Sequence, residues 1–327
     1  MRIIVIIPGN ATTGGVELLY QFVDAANAAG ATAYACNYPF NGKVGIPEAY
    51  NGYNCQLLSR SEIQADDIIV LPEVFTYITD EFPENAIYLW WMSVDNYYGS
   101  KSARYVVGNR FLPWRFKSIN RPSFSSTFKG HLCQSQYAIE HLQQHGINCD
   151  FFISDYINRD FVKNSDIDYN KVRRDLVVFN PAKGSKQTSK IMSTSKYEFR
   201  PIKNMTRAQI IELLLSAKIY IDFGNHPGKD RIPREAAALG CVIMTNRRGS
   251  ARNDVDIPID PDLKIDDGLV KFEENAAERI EDIMVNYFKH HEKLELYRKI
   301  IIDEKSNFFA SVCGFVRAVK ENTSPSA

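Results

Sequence analysis

The chain has 327 residues, of which 45% are hydrophobic and 24% charged, a composition typical of a soluble globular protein. Its length exceeds that of most single domains, so we expect two domains. The 39 basic and 39 acidic residues give a formal net charge of zero, which argues against nucleic acid or an anionic membrane as the main partner, and no segment approaches the roughly 18 apolar residues of a membrane-spanning helix.

The first half of the chain alternates apolar runs with helical patterns. Arg2–Ile7 is a continuous apolar run, typical of a central parallel strand that is buried on both faces. Turn residues over Pro8–Gly15 precede a helical pattern over Val16–Ala29. The other elements predicted here are strands at Thr32–Cys36, Ile68–Leu71, Ala86–Met92, Leu132–Ser135 and Phe151–Ser154 and a helix at Tyr137–Gln144. Such alternation predicts an α/β fold with a mostly parallel sheet.

The alternation starts again after a charged segment, residues 159–174, which we interpret as a linker. The elements predicted beyond it are strands at Leu176–Phe179, Glu198–Pro201, Ile219–Phe223 and Cys241–Thr245 and helices at Lys186–Ser193, Arg207–Ala217, Asn275–Phe288, Glu292–Ile302 and Asn307–Val319. We therefore predict two Rossmann-like domains that face a cleft, one over residues 1–158 and one over 175–304, with a final helix and tail over 305–327.

One loop of the second half is rich in cations. It lies between the strand Ile219–Phe223 and a helix that begins near Pro233 and ends at Gly240, and it is followed by another strand. Lys229, Arg231 and Arg234 surround the helix start, where unpaired N–H groups and the helix dipole favour an anion such as phosphate. The alternative is a solvated loop between two core strands.

Four segments resemble glycosyltransferases of the GT-B class, in particular the family-4-like, glycogen-synthase-like group. These segments are Gly14-Gly15, His131–Tyr156, Phe179–Lys186 and the stretch REAAALGCVIMT from Arg234 to Thr245. The resemblance implies two Rossmann-like domains, a last helix that crosses back to the first domain, a nucleotide sugar held by the second domain and an acceptor held by the first.

The resemblance also implies roles for single residues. Glu235 matches a glutamate that contacts the sugar nucleotide, usually its ribose, and a carboxylate can accept two hydroxyl groups at once. Lys183 and Lys186 lie where a basic residue holds the donor diphosphate. The predicted donor-binding residues are Gly15, Lys183, Lys186, Asn225, Lys229, Arg231, Arg234, Glu235 and Arg247. The alternatives are a glutamate that only complements the helix dipole and lysines that are only solvated.

One position departs from the family pattern. Pro227 stands where the family often carries a second glutamate, eight residues before Glu235. The pair His226-Pro227 resembles one that cytidine-monophosphate-sugar transferases use at the donor phosphate, so His226 is a catalytic candidate and otherwise a core or loop histidine. The departure leaves the donor and the stereochemistry of transfer open.

Two carboxylates of the first half are candidates for a catalytic base. Asp95 follows the strand Ala86–Met92 and Glu73 follows Ile68–Leu71, so both should lie at the carboxyl edge of the sheet. A base there could take the proton of an acceptor hydroxyl group, with Asp95 the first candidate and Glu73 the second. The alternative for each is a capping or surface carboxylate. Because neither a DxD triplet nor an HExxH motif occurs, we expect no metal and no other cofactor.

Other features concern the acceptor and the location. Residues 88–128 are rich in aromatic and basic side chains, and Trp114, Arg115 and Phe116 suit an acceptor or a membrane surface. The six scattered cysteines predict free thiols in a reducing compartment, and the N-terminal apolar run is too short for a signal peptide. We expect a cytoplasmic protein, with peripheral contact with the inner membrane left open.

Together these observations predict a metal-independent glycosyltransferase. Its substrates would be a nucleotide sugar and a hydroxyl group of a glycan or lipid-linked glycan, and nucleic acid is not expected as a partner. By analogy with the family, its setting would be the synthesis of a cell-surface polysaccharide such as O-antigen or capsule. The alternatives are a nucleotide-sugar epimerase of the same fold and a non-catalytic protein that binds a nucleotide or a sugar.

Overall fold

A six-stranded parallel sheet is formed by the first half of the described chain, with strand order β2-β1-β3-β4-β5-β6. The computed structural model describes residues 2–9, 11–42, 45–99, 107–108, 110–112, 117–162 and 172–323, so Trp114, Arg115 and Phe116 lie outside the described residues. The strands are β1 (Ile3–Pro8), β2 (Ala33–Tyr38), β3 (Ile68–Pro72), β4 (Ala86–Trp91), β5 (Gly130–Cys133) and β6 (Phe151–Phe152). The helices are α1 (Gly14–Ala28), α2 (Val94–Gly99) and α3 (Gln136–Gln144).

The elements of this sheet follow from their sequences. Ile3–Ile7 are fully buried, as expected for a continuous apolar run in a central strand. The Thr13 hydroxyl caps α1 by accepting the Val16 N–H at 3.3 Å, and the Ser135 hydroxyl caps α3 in the same way. A 3-10 helix over Glu73–Glu81 follows β3 and was not predicted, because it lacks the length and spacing of an α-helix.

A four-stranded parallel sheet follows, with strand order β10-β9-β7-β8. Its strands are β7 (Arg174–Phe179), β8 (Glu198–Pro201), β9 (Ala217–Asp222) and β10 (Val242–Thr245). The helices of this part are α4 (Ser185–Thr194), α5 (Arg207–Ser216), α6 (Arg231–Ala238), α7 (Phe272–Val285), α8 (Tyr287–Glu292) and α9 (Glu295–Thr323). The predicted α/β class with parallel sheets is confirmed. Because all strands of a sheet run the same way, the loops after β7, β9 and β10 meet at one carboxyl edge.

The chain divides into two units. The first contains residues 1–155 and the chain from Ser306 onward, and the second contains Tyr156–Lys305. Helix α9 is therefore shared, since its beginning belongs to the second unit and the rest to the first. The prediction of two separate helices, Glu292–Ile302 and Asn307–Val319, was wrong, because the polar residues between them continue the helix and only interrupt its apolar spacing.

No helix in the described ranges combines the length and the apolar character that crossing a bilayer requires. The six cysteines are free thiols, and Cys36, Cys133 and Cys241 are buried.

Candidate functional site

Three loops pack directly against one another at the carboxyl edge of the second sheet. Gly184 in the loop after β7 has φ of +59°, and a Cβ there would overlap the backbone of Phe223 after β9. Gly249 in the loop after β10 has φ of +53°, and a Cβ there would overlap the carbonyl oxygen of His226. Both positions need glycine, because a side chain has neither the backbone freedom nor the space. The Ser250 N–H also donates to the His226 carbonyl oxygen at 2.9 Å, which fixes the loops together.

Two helices begin at this edge without a capping side chain. Gly184 is the N-cap of α4 and has no side chain to offer. Asp230 is the N-cap of α6, but its carboxylate makes no capping hydrogen bond. The helix dipoles favour an anion at both helix starts, although the third residue of α6 is Pro233, which offers no N–H group.

The Asp230 carboxylate faces two cations instead of its own helix. Its Oδ1 atom accepts a hydrogen bond from the Lys183 ammonium group at 2.7 Å. Its Oδ2 atom lies 2.8 Å from Nδ1 of His226, although the ring does not point its N–H squarely at that oxygen. Burial opposes a charge on Asp230, but contacts with His226 and Lys183 outweigh burial and lower the pKa of this carboxyl group.

His226 lies entirely beneath the loops. Its side chain is 0% exposed, and Nε2 lies 3.2 Å from the Asp222 carbonyl oxygen. The Asp222 carboxylate is held by the Gly224 N–H at 3.1 Å and the Tyr220 hydroxyl group at 3.2 Å. Burial raises the pKa of Asp222. Burial alone would lower the pKa of His226, but Asp230 and Asp222 raise it, so the charged ring is favoured.

The same three side chains are the type that binds transition metals. Ligand atoms of Asp222, His226 and Asp230 lie within 4.8 Å of one another. The ring, however, lies between the two carboxylates: Nδ1 is 2.8 Å from Asp230 and Nε2 is 3.8 Å from an oxygen of Asp222. A metal ion needs a ring nitrogen with a free lone pair, whereas here each nitrogen faces an oxygen. The geometry thus fits a protonated ring better than a metal ligand.

Two of the predicted donor cations are held inside the second unit. The Arg234 side chain is 0% exposed and donates to Glu304 Oε2 at 2.7 Å and to the carbonyl oxygens of Lys229 and Asp230. Lys229 contacts Oε1 of the same Glu304 at 2.9 Å. Both cations pair with Glu304 on α9. The Arg234 side chain is therefore buried beneath the loop and is not exposed to a donor.

The other predicted residues lie at different depths. Asn225 and Lys186 are exposed, and Arg231 and Glu235 in the first turns of α6 are half-buried. Arg247 donates to the carbonyl oxygens of Lys264 and Pro261 at 2.9 and 3.0 Å. It lines a cavity of about 510 Å³ whose carboxylates are Asp262, Asp266, Glu278 and Asp282. The cavity is also lined by Lys264 and Arg279, so four carboxylates outnumber three cations, and this small excess of negative charge does not favour a phosphate.

At the edge of the first sheet, Gly15 and Glu73 both approach Met92, which follows β4. The buried Glu73 carboxyl group accepts the Met92 N–H at 3.0 Å, and burial raises its pKa to about 8. A Cβ at Gly15 would lie 3.9 Å from the Met92 side chain, so a small side chain would fit at this position without overlap. Asp95, in the first turn of α2, is half-buried and accepts from the Tyr137 hydroxyl group at 2.9 Å.

Sequence reasoning missed several residues of the second-unit site. Asp222 ends a strand and Asp230 precedes a helix, which are positions where ligands and caps occur, so both could have been found. Asn246 donates to the Gly224 carbonyl oxygen at 2.8 Å and was not among the predicted donor-binding residues. Glu304 had no local signal, because its partner Arg234 is 70 positions away.

No protein-family model matches the sequence, and no curated protein matches it significantly. Solved structures do match over nearly the whole chain. Sucrose-phosphate synthase from Thermosynechococcus elongatus shares 10% identity, covers 100% of both chains and superposes with a TM-score of 0.67. Anabaena Alr3699/HepE, in complex with UDP and glucose, shares 12% identity over 98% of this chain and 99% of its own, with a TM-score of 0.59. The lipopolysaccharide outer core galactosyltransferase WaaB shares 10% identity over 95% of this chain and 99% of its own, with a TM-score of 0.62.

The chain has the GT-B fold. The resemblance seen in the four sequence segments is thereby confirmed at the level of the fold. Which residues bind a donor or act in catalysis stays a prediction.

Proposed function

We propose that this GT-B protein is a glycosyltransferase that moves a sugar from a nucleotide-sugar donor to a hydroxyl group of a glycan. The observation that carries the proposal is the carboxyl edge of the second sheet, where α4 and α6 start uncapped beside Lys183. In open parallel sheets this edge is where ligands bind. HepE, which has the same fold, is solved with UDP and glucose, and this supports a nucleotide sugar as the donor.

The proposed donor site uses Lys183, Lys186 and the two helix starts to stabilise the diphosphate. Negative charge builds up on this leaving group as the sugar departs, and fixed N–H groups and ammonium groups lower the energy of that charge. Glu235, one turn into α6, would accept hydroxyl groups of the ribose. Arg234 and Lys229 would support the loop through Glu304 rather than contact the donor.

We propose Asp95 as the base that takes the proton of the acceptor hydroxyl group. Asp95 is half-buried and therefore accessible, whereas the Glu73 carboxyl group is 2% exposed and holds the Met92 N–H. A general base must come within hydrogen-bond reach of the proton that it removes. The reaction would proceed without a metal ion, since cations and helix dipoles already supply the positive charge, and addition of EDTA should leave turnover unchanged.

The acceptor and its setting are proposed from the family analogy. WaaB acts on the lipopolysaccharide outer core, which supports a cell-surface polysaccharide or a lipid-linked glycan as the acceptor class. A cytoplasmic location, with contact at the inner membrane, would place the enzyme where such acceptors are built.

A nucleotide-binding panel tests the donor site. Thermal stability is measured with UDP, GDP, CDP, CMP, ADP and dTDP for the wild type, Lys183→Ala and Glu235→Ala. A nucleotide that binds only the folded state raises the melting temperature. We expect one nucleotide to stabilise the wild type and both variants to lose the effect. Lys190→Ala is the matched control, because Lys190 lies on α4 but pairs with Glu273.

The same protein then distinguishes the alternatives. Conversion of a nucleotide sugar with no acceptor present would indicate an epimerase. Binding without any conversion, in the presence of glycan acceptors, would indicate a non-catalytic binding protein. If no nucleotide raises the melting temperature of the wild type, the donor site is wrong and only the fold remains.

A further inference from the structure

Beneath the proposed donor site, charged side chains follow one another in a row from β9 to the loop after β7. The Asp222 carboxylate lies beside the His226 ring, the ring lies beside Asp230, and Asp230 holds Lys183. Lys183 is the member of the row that reaches the surface, with 30% of its side chain exposed, while His226 is 0% exposed. A change at His226 can therefore act on a ligand only through its neighbours.

The surroundings of the ring determine its protonation. A carbonyl oxygen only accepts hydrogen bonds, so Nε2 must carry a proton to face the Asp222 carbonyl oxygen at 3.2 Å. A bare Nδ1 would leave two electron-rich atoms, Nδ1 and Asp230 Oδ2, only 2.8 Å apart, which is repulsive even though the ring is not aimed squarely at that oxygen. Both nitrogens are therefore protonated, and His226 is a buried cation with two carboxylates beside it.

We propose that His226 is a positioning residue for the donor: as a buried cation it holds the Asp230 carboxylate, which in turn holds the Lys183 ammonium group. This inference rests on the proposed function. Aspartate at an N-cap usually accepts from the second or third N–H group of its helix, but the third residue of α6 is Pro233, which has no N–H group. The Asp230 carboxylate makes no capping bond and lies between His226 and Lys183 instead.

Loss of the charge on His226 would disturb the proposed site through Asp230 and Lys183. The Asp230 carboxylate would lose the buried cation on one side, so its position would no longer be fixed. Lys183 would then lose its fixed partner and with it the orientation that presents the ammonium group to a phosphate. This weakens anion binding, although His226 itself touches no ligand.

The proposal predicts a pH dependence with a definite sign. The titratable groups that act on His226 are Asp222 from β9, Asp230 from the start of α6 and Lys183 from the loop after β7. Tyr220 on β9 donates to the Asp222 carboxylate. The loop after β10 contributes backbone, and its Arg248 is paired with Asp267. Since the pKa of His226 is raised, the charged ring and the donor affinity should persist at low and neutral pH and decline as pH rises through that raised pKa.

The test measures UDP affinity by calorimetry from about pH 6 to about pH 9.5 for the wild type, His226→Gln and His290→Gln. Wild type should show weaker binding at the alkaline end. His226→Gln should bind UDP about tenfold or more weakly at neutral pH and lose the pH dependence that comes from the ring. His290→Gln is the matched control, because His290 is a buried histidine of the same unit that contacts a carboxylate, Asp282, at 2.9 Å.

Two further measurements separate the outcomes. In a double-mutant cycle, His226→Gln should add little to Lys183→Met, because the first residue acts through the second. Nitrogen NMR of the labelled wild type should show both ring nitrogens of His226 protonated at pH 7. This measurement does not depend on the variant, so it tests the inference even if His226→Gln fails to fold. If only one ring nitrogen is protonated, or if His226→Gln binds UDP as tightly as the wild type, this inference is wrong but the proposed function is not affected. Failure of every nucleotide to bind the wild type overturns the proposed function and this inference with it.

Discussion

At the scale of single residues, Glu73 is a carboxyl group that the fold holds in its neutral form. It is buried just after β3, and among the described residues its carboxyl group accepts backbone N–H groups, so burial dominates and raises its pKa from about 4.5 to about 8. Between these values the folded protein holds a proton that the unfolded chain has lost. The contribution of Glu73 to the free energy of unfolding is therefore full below about pH 4.5 and declines as pH rises toward 8.

Replacement of Glu73 by glutamine should flatten this pH dependence. Glutamine can still accept the Met92 N–H and carries no charge at any pH. As pH rises from about 5 to about 8, the free energy of unfolding of Glu73→Gln should therefore increase by roughly 2–4 kcal/mol relative to that of the wild type. Urea unfolding followed by tryptophan fluorescence measures this, because the buried Trp90 and Trp91 belong to the first unit. If the free energy of unfolding depends on pH in the same way in both proteins, Glu73 ionises with an ordinary pKa and the prediction is wrong.

The residue scale is also where the sequence predicted least. The places of Lys183, Lys186 and Glu235, after a strand or at a helix start, could be predicted, and they lie at one sheet edge, while their roles in donor binding stay predictions. The pairing of Arg234 and Lys229 with Glu304 could not be predicted from local sequence, because Glu304 lies far along the chain. A cation near a helix start looks the same in sequence whether it faces solvent or the interior.

At the scale of elements, the second-unit site depends on loops that are too close for side chains. Gly249→Ala should cost about 3 kcal/mol or more of unfolding free energy, because it adds an overlap with the His226 carbonyl oxygen to the strain of a positive φ. Gly30→Ala is the matched control, with φ of +75° and no atom within 4 Å, and should cost only about 1 kcal/mol. Chemical denaturation of each variant measures both values, and equal costs would show that the loop can move aside.

Element types were predictable where apolar spacing was regular. The buried runs of β1 and β9 and the helical spacing of α1 gave the right elements to within a few residues. The spacing failed at Asp303–Ser306, where α9 continues through polar residues, because Glu304 is buried there for its ion pairs rather than for apolar packing. Periodicity of apolar residues cannot detect a helix turn that is held in place by charge.

At the scale of the whole molecule, Glu304 ties the shared helix to the proposed donor loop. Glu304→Gln removes the charge that Arg234 and Lys229 face in a buried place, and breaking such a pair typically costs about 3–5 kcal/mol. Amide hydrogen exchange should become faster from Lys229 through α6. Glu273→Gln is the control, since its pair with Lys190 is more exposed and should cost less than about 1 kcal/mol. Unchanged exchange in Glu304→Gln would show that the loop is held without this pair.

The order of segments along the chain also bears on how the protein is made. Phe315, on the part of α9 that belongs to the first unit, packs against Phe22, Tyr88 and Phe151 with ring centroids 5.1 to 5.6 Å apart. A ribosome that reads from the first residue onward has synthesised the whole of the second unit before it reaches Phe315. The aromatic side chains of the first sheet are therefore covered by α9 only after the second unit has been synthesised. The second unit can thus complete its fold before the first unit does.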